Sequence, residues 1–324
     1  MNKRERIHAA IHREPVDRPP IALWRHFPKD DLNSEAFARR VVDFQNRYDF
    51  DLVKVTPAAG YMDEMYGAAL EDAGNREGTR THVTRTVKRW EDWSTIRELH
   101  ADNPVFQRER ESLRLIRRAL GDDVPILQTI FSPLSTARNL AGDRLHDDLH
   151  KHPADVKHAL EHLACTILNF AFDSLKAGAD AIFFATQVAT RDFLPEPESK
   201  AFGQAYNLTL LNELRGKANF VLLHAHGENI YFDHLAQYPV QIMNWHDRLT
   251  PPTLAEGKKK FHGAVAGGID EWNVLARGTP EQVHAQVRDA IHETDGIGLL
   301  VAPGCVIPID TPRENIRAAR EAVE

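Results

Sequence analysis

Phe220-Val221-Leu222-Leu223-His224-Ala225-His226-Gly227-Glu228 is the stretch from which the rest of the chain can be read. Four apolar residues run straight into two histidines one residue apart. An unbroken apolar run of this length predicts a strand buried on both faces, as in a parallel sheet. Side chains alternate along a strand, so His224 and His226 share one face at its carboxyl end, where Gly227 stops it. Two imidazoles so placed can hold a metal, bind an anion or relay protons.

Similar runs recur on both sides of this one. Ile21–Trp24, Leu52–Val55, Val124–Thr129 and Asp180–Ala185 precede it as predicted strands one to four. Val240–Asn244, Ala264–Gly268 and Leu299–Ala302 follow as strands six to eight. Amphipathic or capped helical segments lie between them. They include 2–13 at the start, Ser34–Tyr48, Val105–Leu120 and the long Pro153–Ala177 closed by Gly178. Phe202–Leu214 and a short helix over Ile230–Ala236 come later. Thr279 with Gln282, and Thr311-Pro312-Arg313-Glu314, predict capped starts for the last two helices. Alternation throughout the chain implies a parallel sheet. Eight strands favour a single α/β domain over residues 1–324, a (β/α)8 TIM barrel with an N-terminal helical extension. The connection from 58 to about 104 is a long insertion after strand two. Thr81–Val87 within it alternates and predicts a local hairpin. A connection of this length is expected to serve function.

The 324 residues carry a net charge of −7, which gives no reason to expect a nucleic-acid partner. No apolar run reaches the roughly 18 residues of a membrane span, and no apolar segment follows the charged start as in a signal peptide. Two cysteines among 324 residues are not a disulfide framework and suit a reducing cytoplasm. Cys165, in a helical run, is expected in the core. No Gly-x-Gly-x-x-Gly follows the first strand, which weakens a dinucleotide-binding reading.

Barrel active sites lie at the carboxyl ends of the strands. Here those ends offer Arg25-His26, Thr56, Gln128, Thr186-Gln187, His224-x-His226, Asn244-Trp245-His246-Asp247, Asp270 and Gly304-Cys305. His224, His226 and Cys305 make a three-donor zinc set with an open fourth position. An open zinc activates a thiol or a water by lowering its pKa. Glu228 and Asp247 are alternative fourth ligands. The competing reading is that both histidines bond to neighbours and Cys305 merely packs after strand eight. Arg25 could clamp a carboxylate or sit in a surface ion pair. Arg25, His26 and His246 are the candidate catalytic groups. Trp24, Tyr61, Gln128, Gln187, Asn244 and Trp245 are candidates for substrate binding, with Tyr66 as a further aromatic.

Longer motifs carry a resemblance. They are Arg13-Glu14-Pro15-Val16-Asp17-Arg18-Pro19-Pro20, the 124–142 region around Phe131-Ser132-Pro133-Leu134, and Gly178-Ala179-Asp180-Ala181-Ile182-Phe183-Phe184. Gly267-Gly268-Ile269-Asp270, Arg277-Gly278-Thr279-Pro280-Glu281, and Gly304-Cys305-Val306-Ile307-Pro308 through Asn315 complete the set. The chain resembles the uroporphyrinogen decarboxylase superfamily, which also contains zinc-dependent corrinoid:thiol methyltransferases. That resemblance implies a (β/α)8 barrel. The decarboxylases carry Arg-Gln-Ala-Gly-Arg after the first strand, where this chain has Arg25-His26-Phe27-Pro28-Lys29, and an aspartate after the second, where it has Thr56-Pro57-Ala58. Little uroporphyrinogen turnover is expected. The methyltransferases bind zinc through His-x-Cys after strand five and a cysteine after strand eight. Here the matching positions are His224-Ala225-His226 and Cys305. An imidazole in place of a thiolate makes the metal one unit more positive, so a bound thiol would be more acidic and less nucleophilic, and a metal hydroxide becomes an alternative.

The leading expectation is zinc-dependent methyl transfer to or from a thiol or a corrinoid. The alternatives are decarboxylation of a porphyrinogen or a smaller carboxylate, and a non-catalytic corrinoid or tetrapyrrole binder. Expected partners are a small-molecule substrate, a corrinoid protein and, in a homodimer, a second copy of the chain.

Overall fold

The computed structural model describes residues 1–324. Seven strands form one parallel sheet. They are β1 (Val53–Val55), β4 (Ile126–Phe131), β5 (Ala181–Thr186), β6 (Val221–Ala225), β7 (Ile242–Trp245), β8 (Ala264–Ile269) and β9 (Leu299–Pro303), in that spatial order. An antiparallel hairpin of β2 (Ala69–Asp72) and β3 (Arg80–Thr84) stands apart from the sheet. All seven sheet strands except the outermost residue of β4 are buried along their length, because helices cover one face and the barrel interior the other.

The eighth position of the barrel is filled by a segment too irregular to count as a strand. Ile21 bridges Val301 in parallel. Val301 N donates to Pro20 O at 2.8 Å, Ala22 N to Val301 O at 3.0 Å and, on the other side, Asp51 N to Ile21 O at 2.9 Å. The segment therefore joins β9 to the chain entering β1 and closes the ring. The predicted first strand is reduced to this bridge for a physical reason. Pro19 and Pro20 have no N–H to give. The next donor, Ile21 N, is taken by the buried Asp51 carboxylate at 2.9 Å. Asp51 is in turn held by Arg6 at 2.6 Å and Arg18 at 2.7 Å, so side-chain ion pairs replace ladder bonds at the strand's start.

Helix boundaries follow their local chemistry. Lys3–Ile11 opens with an Asn2–Glu5 capping box. Ser34–Tyr48 is capped by Asn33 and ends at Asp49 in the left-handed region. Pro153–Ala177 starts on proline and stops at Gly178. Thr279 and Gln282 form the expected box. The second expected box does not form. The Thr311 hydroxyl donates to Pro308 O at 2.8 Å, and the last helix, Arg313–Glu321, begins without a side-chain cap. Cys165 is exposed, not in the core, because Leu163, Thr166 and Ile167 take the inward face of its helix.

The hairpin lies slightly ahead of the 81–87 expectation, and its turn crosses to the carboxyl end of the barrel. Ile309 N donates to Arg76 O at 2.7 Å, and Arg76 pairs with Asp310 at 2.8 Å. Gly78 sits at φ +75°, where an added Cβ would lie 2.8 Å from Ile309 Cγ2. Only glycine lets the turn lie this close to the 305–310 loop. No helix is long and apolar enough to cross a membrane.

Candidate metal centre

A cavity of about 290 Å³ opens at the carboxyl ends of the strands. Trp24, His26, Lys54, Thr56, Thr129, Phe183, Gln187, His224, His226, His246 and Cys305 line it, with Glu77 and Thr79 from the hairpin turn. Along each strand the lining residues are spaced by two, which is the pleat of the barrel wall.

Four side chains converge there. One ligand atom each from His224, His226, His246 and Cys305 lies within 4.8 Å of all the others. His226 Nδ1 is 3.3 Å from His246 Nε2 and 3.7 Å from Cys305 Sγ. A tetrahedral ion with bonds of about 2.0–2.3 Å would separate its ligands by about 3.3–3.6 Å, close to both spacings.

Two of the imidazoles are oriented from behind. Asn244, fully buried in β7, directs its Nδ2 to the carbonyls of Ala266 at 2.9 Å and Pro303 at 3.0 Å. That pair of acceptors fixes the amide, so Oδ1 must face His224 Nδ1 at 2.6 Å and receive its proton. His224 Nε2 is then a free lone pair. His246 Nδ1 lies 3.1 Å from Glu271 Oε1, and the other oxygen of this buried carboxylate accepts from Gly304 N at 3.1 Å. A ring N–H donated to Glu271 leaves His246 Nε2 free and facing His226. Metal-ligating histidines are characteristically held this way.

Burial keeps the donor atoms of His224, His226 and Cys305 uncharged. Burial holds His224 well below the ordinary histidine range. Burial and the neighbouring His246 bring His226 down to about 4. Burial, reinforced by Glu271, pushes the Cys305 thiol up to about 12. Without a cation His224 and His226 are therefore neutral rings beside a neutral thiol, and metal binding would release the thiol proton. One soft sulfur and two imidazoles, with His246 beside them, fit a zinc ion with an open position.

The structure divides the sequence-predicted residues sharply. His224, His226 and Cys305 meet, and Trp24, His26, Gln187 and His246 share their cavity. Asn244 positions His224 from behind. Arg25, Tyr61, Gln128 and Trp245 do not line the cavity. The Arg25 guanidinium lies over the Phe27 ring at 5.3 Å, on the opposite side of the chain from Trp24 and His26. Tyr61 OH donates to Thr129 O at 2.7 Å from a helix behind the wall. Gln128 is fully buried on the helix-facing side of β4, its Nε2 near Thr129 O at 3.4 Å. Trp245 Nε1 donates to Pro252 O at 2.8 Å, and its ring packs on Phe232. Tyr66 donates to Thr166 Oγ1 at 2.7 Å, also outside the cavity. Of the alternative fourth ligands, Asp247 accepts from Gly268 N at 3.0 Å, facing away, and Glu228 is exposed.

Lys54 and Glu77 are ionisable cavity residues that sequence reasoning missed. Lys54 is buried in β1, with Nζ 3.1 Å from Thr56 Oγ1 and 4.6 Å from the Phe183 ring centroid. Burial lowers its pKa to about 7. For Lys54 the signal was present: Val53-Lys54-Val55-Thr56 alternates, so Lys54 and Thr56 share the inner face.

A closed barrel carrying a histidine–cysteine cluster at its strand ends defines the class of protein. Residues 2–324 match the family described as "Uroporphyrinogen decarboxylase (URO-D)", and the chain belongs to that family. The chain is similar to the methylcobamide:CoM methyltransferase MtbA of Methanosarcina mazei, at 20% identity over 99% of this chain and 97% of that protein. It is also similar to methylcobamide:CoM methyltransferase MtaA of Methanosarcina barkeri, at 24% identity over 97% and 95%. Among solved structures, a methyltransferase from Methanosarcina mazei superposes with a TM-score of 0.84 at 19% identity, covering 99% of this chain and 98% of that one. A B12-independent methionine synthase from Shewanella shares the fold more distantly, with a TM-score of 0.56 at 15% identity over 95% and 92%.

Proposed function

We propose that this protein is a zinc-dependent methyltransferase that moves a methyl group between a methylcobamide and a small thiol. The observation that carries this reading is the convergence of His224, His226 and Cys305 with His246 at one end of the barrel. The similarity to methylcobamide:CoM methyltransferases supports the reaction type.

In this reading His224 Nε2, His226 Nδ1 and Cys305 Sγ hold the ion. Zinc, when bound, supplies a Lewis acid that keeps a thiol as its thiolate at neutral pH. His246 Nε2 takes the thiol proton, and the buried Glu271 carboxylate stabilises the resulting imidazolium through Nδ1–H. The thiolate sulfur then forms a bond to the methyl carbon. The cobalt–carbon bond breaks with its electron pair left on cobalt, giving a thioether and cob(I)amide. Apolar walls from Trp24, Phe131 and Phe183 exclude water from the sulfur.

The cavity size favours this over porphyrinogen decarboxylation. Drug-sized ligands occupy about 300–1,000 Å³, and this space is at the lower edge of that range, with Lys54 the one side chain ending in an ammonium or guanidinium among its lining residues. A tetrapyrrole with eight carboxylates needs more room and more cations. A corrinoid would instead present its methyl group from outside the mouth.

The test is anaerobic incubation of purified protein with methylcobalamin and thiols, read by loss of methylcobalamin absorbance and by mass of the thioether. Zinc content is measured after gel filtration. One zinc per chain and thioether formation are expected. Absence of either result, or robust coproporphyrinogen formation from uroporphyrinogen, would overturn the reading.

A further inference from the structure

Two ionisable side chains line the cavity without a counter-charge. Lys54 is buried in the barrel wall, and its Nζ meets only the Thr56 hydroxyl at 3.1 Å and the Phe183 ring. It takes part in no ion pair, whereas the other buried cations, such as Arg6 and Arg80, are matched by carboxylates. A desolvated ammonium without a counter-ion is costly, and the aromatic face offsets only part of that cost. Glu77 reaches the same cavity from the hairpin turn. It is partly buried and takes part in no ion pair or side-chain hydrogen bond. The two side chains do not pair with each other. Both line the same cavity as Cys305.

A cation and an anion held apart in one small cavity complement a ligand carrying both charges. A ligand with an acid group alone would satisfy Lys54 and be repelled by Glu77. One with an amine alone would meet the reverse. An α-amino acid carries the two groups on one carbon, and a short side chain ending in sulfur would reach from them toward the histidine–cysteine cluster. We propose that the thiol substrate is a zwitterionic amino-acid thiol of the cysteine or homocysteine type, its carboxylate bound by Lys54 and its ammonium by Glu77. The proposal rests on the methyltransferase reading for its sulfur chemistry, but the charge recognition belongs to residues of this chain alone.

The test uses thioethers, whose binding requires neither turnover nor a methyl donor. Isothermal titration of the purified full-length protein compares L-methionine (both charges) with 4-(methylthio)butanoate (acid only), 3-(methylthio)propylamine (amine only) and 2-(methylthio)ethanol (neutral). Methionine is expected to bind at least tenfold more tightly than each of the others. Lys54→Met should reduce methionine to the affinity of the amine-only ligand. Glu77→Gln, at a partly exposed turn that does not endanger folding, should reduce it to that of the acid-only ligand. Equal binding of methionine and the acid-only or neutral ligand overturns the proposal, as does indifference of methionine binding to both variants. Thiol methylation that ignores the charge of the thiol would overturn this inference and leave the methyltransferase reading standing. Charge-selective thioether binding without any methyl transfer would do the reverse.

Discussion

Replacing Asn244 by alanine removes three hydrogen bonds at one point. The amide donates to the carbonyls of Ala266 and Pro303, at 2.9 and 3.0 Å, and accepts from His224 Nδ1 at 2.6 Å. All four residues belong to the barrel wall, and Asn244 itself is fully buried, so water cannot readily replace the amide. A typical hydrogen bond contributes about 0.5–1.5 kcal/mol net, and a buried group left without a partner costs about 1–3 kcal/mol. Three bonds lost together should lower stability by about 3–5 kcal/mol, read as a lower urea midpoint. The same change frees the His224 ring to turn its lone pair away from the cluster. Loss of such an orienting partner typically weakens metal binding by about 10–100-fold. Competition against a chromophoric chelator measures this directly. Asn244→Asp provides the contrast, because it keeps the acceptor for His224 Nδ1–H but loses both donors. It should therefore be destabilised while retaining most of its zinc affinity. If Asn244→Ala were destabilised yet bound zinc as tightly as the parent, the amide would be a packing group and the tautomer argument would fail.

Three further outcomes follow from the same geometry. Cys305→Ser should abolish retention of stoichiometric zinc through gel filtration, since it removes the one thiolate of the donor set, while circular dichroism stays unchanged. Tyr61→Phe should cost about 1 kcal/mol, the value of its bond to Thr129 O, and leave thiol affinity unaltered. Glu109 should give the fold a pH slope. Burial raises its carboxyl to about 7 against the pull of Arg108, compared with about 4.3 in an unfolded chain. The folded protein therefore holds a proton that the unfolded one has lost, and this contribution, full below about pH 4, falls as pH rises toward 7, by up to about 1.4 kcal/mol per unit. Unfolding titrations of Glu109→Gln should lack that slope, and an identical slope in the variant would refute the assignment.

Much of the fold was legible because a parallel barrel writes itself as apolar runs separated by capped helices. Pro153 and Gly178 bound their helix as chemistry requires, and the buried strands from Ile126 onward coincide with the apolar runs. The departures came where another hydrogen-bonding group competed with a local pattern. Ile21–Trp24 has the composition of a strand, but Asp51, thirty residues away, takes the Ile21 N–H and is itself fixed by Arg6 and Arg18. Thr311-x-x-Glu314 has the composition of a capping box, but the Thr311 hydroxyl donates to Pro308 O and the helix starts without a side-chain cap. The first competitor lies outside any short window of sequence, and the second is a backbone carbonyl three residues back that side-chain composition does not report.

The site was legible to the extent that alternation was applied. It placed His224 and His226 on one face, and they are on one face. The same rule, carried along every strand, would have separated the other candidates. Arg25 lies between Trp24 and His26, Gln128 beside Thr129, and Trp245 between Asn244 and His246, and in each case the residue of opposite parity lies outside the cavity. It would also have brought in Lys54, two before Thr56. The orienting groups were not recoverable by any local rule. Asn244 serves His224 on the neighbouring strand, and Glu271 serves His246 from the turn after β8. Each joins residues 20–25 positions apart through strand neighbours that exist only once the barrel is closed. The donor types of a metal site are thus a property of strand parity, whereas the direction of each lone pair is a property of the closed ring.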